Sequence, residues 1–334
     1  MRVTKLVTAS TLGTTLVIVL LAFLSPSLSA QEQPQPGTGQ ALEIAPTIVD
    51  LDVDPGESTD VEIQLRNVSN EDLIVSGEIN DFLAFDEEGS PNIIMEEEAE
   101  EYADNPFSMR AWAQPMEPIL LEPNQIETLT VDFIVPGDAS PGGYYGAVRF
   151  TGTPPELEGT GVSLATSIGT LLLATVSGEA VEDAAIEEFY VEQDGSRGTM
   201  FESPPLQLVQ RIKNTGNVHI QPTGQVEIKD MFDRRIAAAN VNLGQQNILP
   251  ESIRRFEQDV DSSLIGDRRL FGRYTANLQL EYADEQTMTQ TLSFWIIPYR
   301  LIAAIIAGFV IAAFAIRYFL KRYKAKIIAQ TQQK

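Results

Sequence analysis

Carboxylates outnumber every other side chain that could do chemistry in this chain. The 334 residues include 47 Asp and Glu, a single histidine, His219, and no cysteine. A Ser-His-Asp site would have to use His219, and no GxSxG turn accompanies it. Zinc sites need several His or Cys ligands, and no glycine-rich phosphate loop precedes a helix. The sequence therefore predicts no enzyme, no cofactor and a surface position for His219, although paired-carboxylate hydrolysis stays open because no acidic pair is singled out.

Three aspartates have the spacing that opens an EF-hand calcium loop: Asp50, Asp52 and Asp54. Such a loop needs glycine at its sixth place and glutamate at its twelfth, where this chain has Pro55 and Val61. We therefore expect these aspartates to line the solvent face of a strand, with no metal site.

The acidic charge is confined to the middle of the chain. All 47 acidic residues lie between positions 31 and 299, both ends carry only basic charge, and the net charge is −24. A surface of this sign repels nucleic acid and keeps an exposed domain soluble. The densest acidic run, an insertion at 86–104, could hold a hard cation loosely; a solvated mobile loop is the favoured alternative.

The two ends of the chain predict its topology. Residues 1–30 have the basic start, apolar stretch and small residues of a signal peptide, and residues 31–40 predict a flexible linker. Residues 301–320 are long and apolar enough for one transmembrane helix, and a basic tail follows at 321–334. The positive-inside rule puts that tail in the cytoplasm. We expect a single-pass cell-membrane protein whose acidic part faces outward.

Between the ends, apolar and polar residues alternate with period two, as in strands with one face on a core. An internal repeat also appears. LRNVSNEDLIVSG, from Leu65, aligns with IKNTGNVHIQPTG, from Ile212, so that Asn67 matches Asn214. The sequence predicts an all-β fold: two tandem immunoglobulin-like β-sandwiches at 41–178 and 182–298, plus the C-terminal transmembrane helix.

Two asparagines and two tyrosines have predicted structural roles. Asn67 and Asn214 suit turns because an Asn side chain can bond to the local backbone. Tyr145 and Tyr274 follow matching glycine turns, and each is expected to be buried like the tyrosine of a sandwich corner.

Two aromatic residues are candidates for ligand binding. Trp112 and Tyr144 could stack on a sugar face or anchor a protein contact. Trp112 is more often a core residue in such a sandwich, while alternation puts Tyr144 on the face opposite Tyr145.

Several segments together resemble a known family. LEIAPTIVDLDVDPGESTDVEIQLRN, VDFIVPGDASPGGYYGAVRF and IGTLLLATVSG resemble the bacterial WxL-interacting proteins of Gram-positive cell surfaces. The resemblance implies a first domain that binds peptidoglycan and a second that engages a WxL-domain surface protein or a host ligand. It supplies no peptidoglycan contacts residue by residue.

Two functions follow as hypotheses. The first is a membrane-anchored surface adhesion protein, with cell-wall peptidoglycan bound by the first domain and an exported surface protein bound by the second. The alternative is a chaperone-like assembly factor that pairs an edge strand with an exported client. An accessory role in enzymatic or transport activity is the weakest alternative.

Overall fold

A computed structural model describes residues 41–155, 166–265, 270–283 and 286–331, with side chains to position 322. The predicted signal peptide and linker at 1–40 lie outside these residues. The described chain is mostly β and forms two immunoglobulin-like sandwiches and one long C-terminal helix, which confirms the predicted fold class.

The first sandwich consists of a three-stranded sheet, β1-β3-β7, against a sheet in the order β2-β9-β8-β4-β5, with β6 also on β4. Its strands are β1 (Leu42–Ala45), β2 (Ile48–Val53), β3 (Ser58–Asn67), β4 (Leu73–Ala84), β5 (Pro91–Ile93), β6 (Ile119–Leu121), β7 (Ile126–Ile134), β8 (Gly142–Thr153) and β9 (Thr166–Val176).

The second sandwich pairs the sheet β11-β10-β13-β16 with the sheet β12-β18-β17-β14-β15. A short helix, α1, follows β16, and a long helix, α2, follows β18. The bounds are β10 (Ala184–Gln193), β11 (Ser196–Gly198), β12 (Met200–Phe201), β13 (Leu206–Asn214), β14 (Thr223–Asp230), β15 (Arg235–Val241), β16 (Ile253–Val260), α1 (Ser262–Ile265), β17 (Gly272–Tyr282), β18 (Gln286–Ile296) and α2 (Tyr299–Thr331).

Alternation along the strands builds both cores. In β3, Val61, Ile63 and Leu65 are buried while the residues between them are exposed. Burying one such side chain stabilises the fold by about 1.5–3 kcal/mol. In the second sandwich Leu278 and Leu280 of β17 are buried in the same way. The period-two pattern therefore fixes which face of each strand meets the core.

Each sandwich is closed by a parallel pairing of an early strand with its last strand. In the first sandwich β2 pairs with β9 over six residues, Leu171 to Val176. In the second, β12 pairs with β18 only at Trp295 and Ile296. The last strand of the second sandwich is thus left far less covered than its counterpart.

The repeat seen in the sequence corresponds to a repeated structural element, because Asn67 and Asn214 make the same three hydrogen bonds to backbone. Each is fully buried at the end of a strand. The Asn67 amide donates to the carbonyls of Glu71 (2.8 Å) and Leu121 (3.0 Å). The Asn214 amide donates to the backbone four residues on (2.7 Å) and to Ile248 (2.8 Å). Both side-chain oxygens accept a backbone N–H two residues ahead, at 2.9 Å.

The C-terminal helix begins directly below the second sandwich. Only Ile297 and Pro298 separate β18 from α2, and one stretch of α2, Tyr299–Arg322, is long and apolar enough to cross a membrane. The backbone stays helical to Thr331, so most of the predicted tail continues the helix.

Candidate functional site

His219, the only imidazole, lies in the contact between the two sandwiches rather than at the surface as predicted. Its side chain is 14% exposed, and its Nε2 lies 3.4 Å from Asp50 Oδ1 in the first sandwich. Burial lowers the pKa of His219, and the charges of Asp50 and Asp52 oppose that shift only in part. The histidine therefore serves the domain contact in its neutral form at neutral pH.

Tyr145 lies beside His219 and belongs to the same contact. Its ring meets the His219 ring edge-on at 5.9 Å and packs on Phe82 at 6.0 Å. Together with Leu173 it forms a small apolar cluster against which Leu249 of the second sandwich packs. Burial raises the pKa of the Tyr145 hydroxyl. Tyr145 is buried, but it faces the neighbouring sandwich and not the core of its own.

The predicted equivalence of Tyr145 and Tyr274 is therefore wrong by one residue. Gly142 and Gly272 both have positive φ, 143° and 112°, and each begins a matching strand. Counted from these glycines, Tyr144 corresponds to Tyr274. Both tyrosines face their own core, and their hydroxyls donate to backbone carbonyls four and three residues upstream, at 3.1 and 3.2 Å. A slip of one residue in a strand exchanges its two faces.

Trp112 occupies a core position. It is 4% exposed, and its ring stacks on Tyr144 with centroids 4.5 Å apart and planes tilted by 46°. The two aromatic candidates therefore cover each other, and the Trp112 ring has no open face for a sugar.

The start of the acidic insertion joins the two sandwiches. Glu87, in the turn between β4 and β5, accepts a 2.7 Å bond from Arg211 Nε, and its carbonyl accepts the backbone N–H of Arg255 at 2.6 Å. Arg211 also bonds Glu188 at 2.7 Å. Arg211 lowers the pKa of Glu87, and Arg197 with Arg211 lowers that of Glu188 to about 2. This part of the predicted mobile loop is therefore bound to the second sandwich, and we call the contacts of Glu87 with Arg211 and Arg255 the clamp. Within the described ranges no group of three or more His, Asp or Glu could hold a metal ion.

A cleft of about 250 Å³ lies beside this clamp. Apolar side chains such as Leu171 and Leu249 line it, and Arg254 stands at one wall. The Arg254 guanidinium donates to the carbonyl of Asn247 (2.7 Å) in the second sandwich and to that of Glu88 (2.9 Å) in the first. Arg254 thus bridges the two domains, and the cleft belongs to their joint.

The outer edge of β18 is a long stretch of open backbone in the second sandwich. β17 pairs with its inner edge along all eleven residues. On the outer edge, the described residues form backbone hydrogen bonds with β18 only next to β12. There the N–H groups of Trp295 and Ile297 donate to backbone carbonyls at 2.8 Å. β10 lies nearby in the other sheet but does not pair with β18. Residues 286–294 therefore have no strand partner on this side among the described parts of the chain.

The residues that present this free backbone can be identified from the register. N–H and C=O groups of alternate residues point to the same edge of a strand. Trp295 and Ile297 point outward, and the register with β17 is unbroken, so positions 287, 289, 291 and 293 do as well. These are Thr287, Thr289, Thr291 and Ser293. The edge thus offers four donors and four acceptors, each carried by a small hydroxyl residue.

The composition of β18 distinguishes it from the other long edges. Its sequence, QTMTQTLSFWI, has no charge, proline or glycine. Charges and proline are the usual protection against edge pairing, and other edge strands carry them: Glu127 and Asp132 in β7, Glu187 and Glu188 in β10, Arg254, Arg255, Glu257 and Asp259 in β16, and Pro91 in β5. The edge is not among the predicted sites, although an uncharged run with threonine at every second place stands out in a chain of net charge −24.

No family model matches the chain, and no curated protein matches it. Among solved structures, the chain is similar to the class 5 fimbriae chaperone CfaA, with 14% identity and a TM-score of 0.37 over 75% of this chain and 98% of that chain. It is also similar to the E. coli chaperone DraB (12%, TM-score 0.34, 76% and 96%). A third is the Pseudomonas aeruginosa CupB2 chaperone (12%, TM-score 0.30, 74% and 97%).

Proposed function

We propose that this chain is a membrane-anchored, non-catalytic binding protein that pairs the outer edge of β18 with an extended segment of an exported surface protein. The observation that carries the proposal is the nine-residue edge whose outward backbone groups have no partner among the described residues. Adding a strand to such an edge gives affinity through main-chain hydrogen bonds.

The length of the edge suits a strand of ordinary size. Nine residues span about 30 Å at roughly 3.3 Å each. A main-chain hydrogen bond contributes about 0.5–1.5 kcal/mol net. The bonds must offset the cost of ordering an extended client segment, so binding is expected to be reversible.

The side chains of β18 indicate what the client strand looks like. Met288 and Leu292 face the core of the second sandwich but are only partly buried. A client strand with an apolar residue at every second place would cover them, and its alternate residues would stay in water. The uncharged edge sets no charge requirement, whereas the net charge of −24 disfavours strongly acidic segments.

The proposed topology follows from the anchor. An apolar helix, Tyr299–Arg322, begins two residues after β18. Lys321 and Arg322 lie at its far end, and the positive-inside rule puts that end in the cytoplasm. The edge would then face the exterior within a few residues of the membrane, where exported chains emerge.

Wall binding, the other expectation from the sequence, has less support. The aromatic candidates cover each other, and the carboxylate-rich turn is engaged with Arg211. Edge-strand pairing, the alternative hypothesis from the sequence, is therefore the main proposal.

Proline substitution at outward positions tests the proposal without breaking the sandwich. Proline is tolerated on an edge where its missing N–H would face solvent. Thr289→Pro together with Thr291→Pro removes two outward donors and leaves the donors toward β17 intact. The matched control, Thr289→Val with Thr291→Val, changes the same side chains and keeps both N–H groups.

The assay is photocrosslinking in the native envelope, with a photoreactive residue at Thr287 of the full chain. We expect one exported protein in the crosslink, at least tenfold less of it in the proline variant, and little change in the valine control. Equal crosslinking in the proline variant, with an unchanged circular dichroism spectrum, would refute edge pairing. A crosslink only to a second copy of this chain would refute the client and indicate self-association.

A further inference from the structure

The end of the second sandwich nearest α2 has an unusual concentration of exposed apolar side chains. Six large apolar residues of this sandwich are exposed within the described ranges, and five of them share this end. We call these five the apolar collar. Its members are Met200 (63% exposed), Met231 (49%), Phe232 (70%), Phe271 (61%) and Trp295 (43%); the sixth residue, Leu243, lies between β15 and β16.

Strand register places the collar at one end. Met200 pairs with Trp295, one residue before β18 ends. Gly272 pairs with Ile296, so Phe271, just before it, lies at the same end. β14 runs antiparallel to β17 and finishes opposite the start of β17, which brings the Met231–Phe232 turn there too. Four loops and strand ends thus converge around the point where the chain leaves for the membrane.

The collar is distinct from the domain contact and from the open edge. The domain contact lies at the opposite end of the second sandwich, where Asn217 accepts the N–H of Gly143 at 2.7 Å. The collar residues add nothing to the core, because each is about half exposed or more. Exposed apolar residues are ordinary when scattered singly, but five at one end adjacent to an anchor form a surface that something covers.

The acidic residues next to the collar members are paired with basic ones. Asp230 pairs with Arg234 at 2.6 Å, Asp233 with Lys229 at 3.6 Å and Glu202 with Arg300 at 3.2 Å. Arg273 adds a positive charge, and its guanidinium donates to the neutral hydroxyl of Ser293 at 3.1 Å. In a chain of net charge −24, these pairs reduce the repulsion between this end and anionic headgroups.

We propose that the apolar collar seats the second sandwich on the membrane surface, in addition to the anchorage that α2 provides. The partner is the lipid interface itself, because the two-residue connection Ile297–Pro298 reaches only about 7 Å when extended. Apolar residues of interfacial segments enter the headgroup boundary by about 5–10 Å. The length of the connection is within this range, so the end of the sandwich that carries the collar can reach the headgroup boundary. Tyr299, at the first turn of α2, adds an aromatic ring at the same level, and aromatic rings favour this layer.

Fluorescence quenching by lipid tests the seating in the full chain. The protein is reconstituted in phosphatidylcholine vesicles whose lipids carry bromine near the top of the acyl chains. Trp295 adjoins α2 and would be quenched in any case, so it is replaced (Trp295→Phe). Trp112 is retained as a constant background because it is buried in the far sandwich. Reporters are then introduced singly as Phe232→Trp, Phe271→Trp and, as the matched control, Leu243→Trp.

We expect the Phe232→Trp and Phe271→Trp signals to fall at least twofold in brominated vesicles and their emission to shift to the blue, while Leu243→Trp is unaffected. Absence of quenching at both collar positions would overturn the proposal. Equal quenching at all three positions would also overturn it, since the sandwich would then lie on its side. Adding Met200→Ser and Met231→Ser should weaken quenching at Phe271→Trp, and no weakening would show that the collar is not what holds the domain.

Discussion

The paired asparagines make a matched prediction in the two sandwiches. Replacing Asn67 or Asn214 by alanine removes a fully buried amide that makes three hydrogen bonds to backbone. In each case two carbonyls and one N–H lose their bond to the amide, although the Glu71 carbonyl keeps the Ser69 hydroxyl as a donor at 2.9 Å. Because the three bonds to backbone are equivalent, the two substitutions should destabilise their own sandwiches by similar amounts.

The magnitude follows from the number of bonds. At about 1 kcal/mol per bond, three bonds give roughly 3 kcal/mol, with a range of about 1.5–4.5 kcal/mol. A domain of this size has a melting temperature that moves about 3–5 °C per kcal/mol. Each variant should therefore lower the melting temperature of its sandwich by about 10 °C. Aspartate at either position should be worse than alanine, because a carboxylate would face two carbonyl oxygens.

Urea unfolding of the full chain in mild detergent measures both variants. Circular dichroism reports both sandwiches, and in a Trp295→Phe background the fluorescence of Trp112 reports the first. Asn70→Ala serves as the surface control, since Asn70 is exposed in the turn that Asn67 organises. A change below about 0.5 kcal/mol for either asparagine, the level of ordinary surface substitutions, would refute the role assigned to the repeat.

Two further predictions concern the domain contact. Glu87→Gln should weaken the clamp by about 1 kcal/mol, because the Glu87 side chain is 38% exposed and solvent screens its pairing with Arg211. The distribution of energy-transfer efficiencies between dyes on the two sandwiches should therefore broaden. Glu97→Gln, in the same insertion, should leave that distribution unchanged. Burial lowers the pKa of His219 below 6.5, so the unfolded chain binds more protons below that pH, and stability should be full above 6.5 and fall as the pH drops through it. His219→Gln should remove that slope in urea midpoints measured from about pH 7.5 to 5.5, and an unchanged slope would refute the assignment.

The strands and the repeat could be predicted because they are local patterns. Alternation in β3 identifies its buried face from the letters alone. Asn67 and Asn214 stood out because burying a polar side chain against backbone requires one residue type at one place in each copy. Such positions are dictated by geometry and remain visible in sequence when the residues around them diverge.

The misplaced residues are those whose surroundings come from distant parts of the chain. Tyr145 and Tyr274 both follow glycine-rich turns, but only the positive φ of Gly142 and Gly272 fixes the register. Glu87 looked like any residue of an acidic loop, because its partner, Arg211, lies 124 residues away. Tandem domains create contacts of this kind that no local pattern records.

The open edge was missed for a different reason. The sequence of β18 predicts a strand whether one or both of its edges are paired. Whether its outer edge is covered depends on the length of β12, the strand that pairs with it there. β2 covers six residues of β9, and β12 covers two of β18. Two sandwiches with the same layout therefore differ in how much of the outer edge of their last strand is covered.

The short connection between β18 and α2 has a mechanical consequence. Ile297 and Pro298 leave almost no slack, so tension between the envelope and a captured client would act on the end of β18 along its own axis. Hydrogen bonds of a ladder lie across the strand direction, so the bonds between β18 and a client strand would be loaded in shear at once instead of opening one by one. A pull transmitted through α2 would therefore act on these bonds in their most resistant direction.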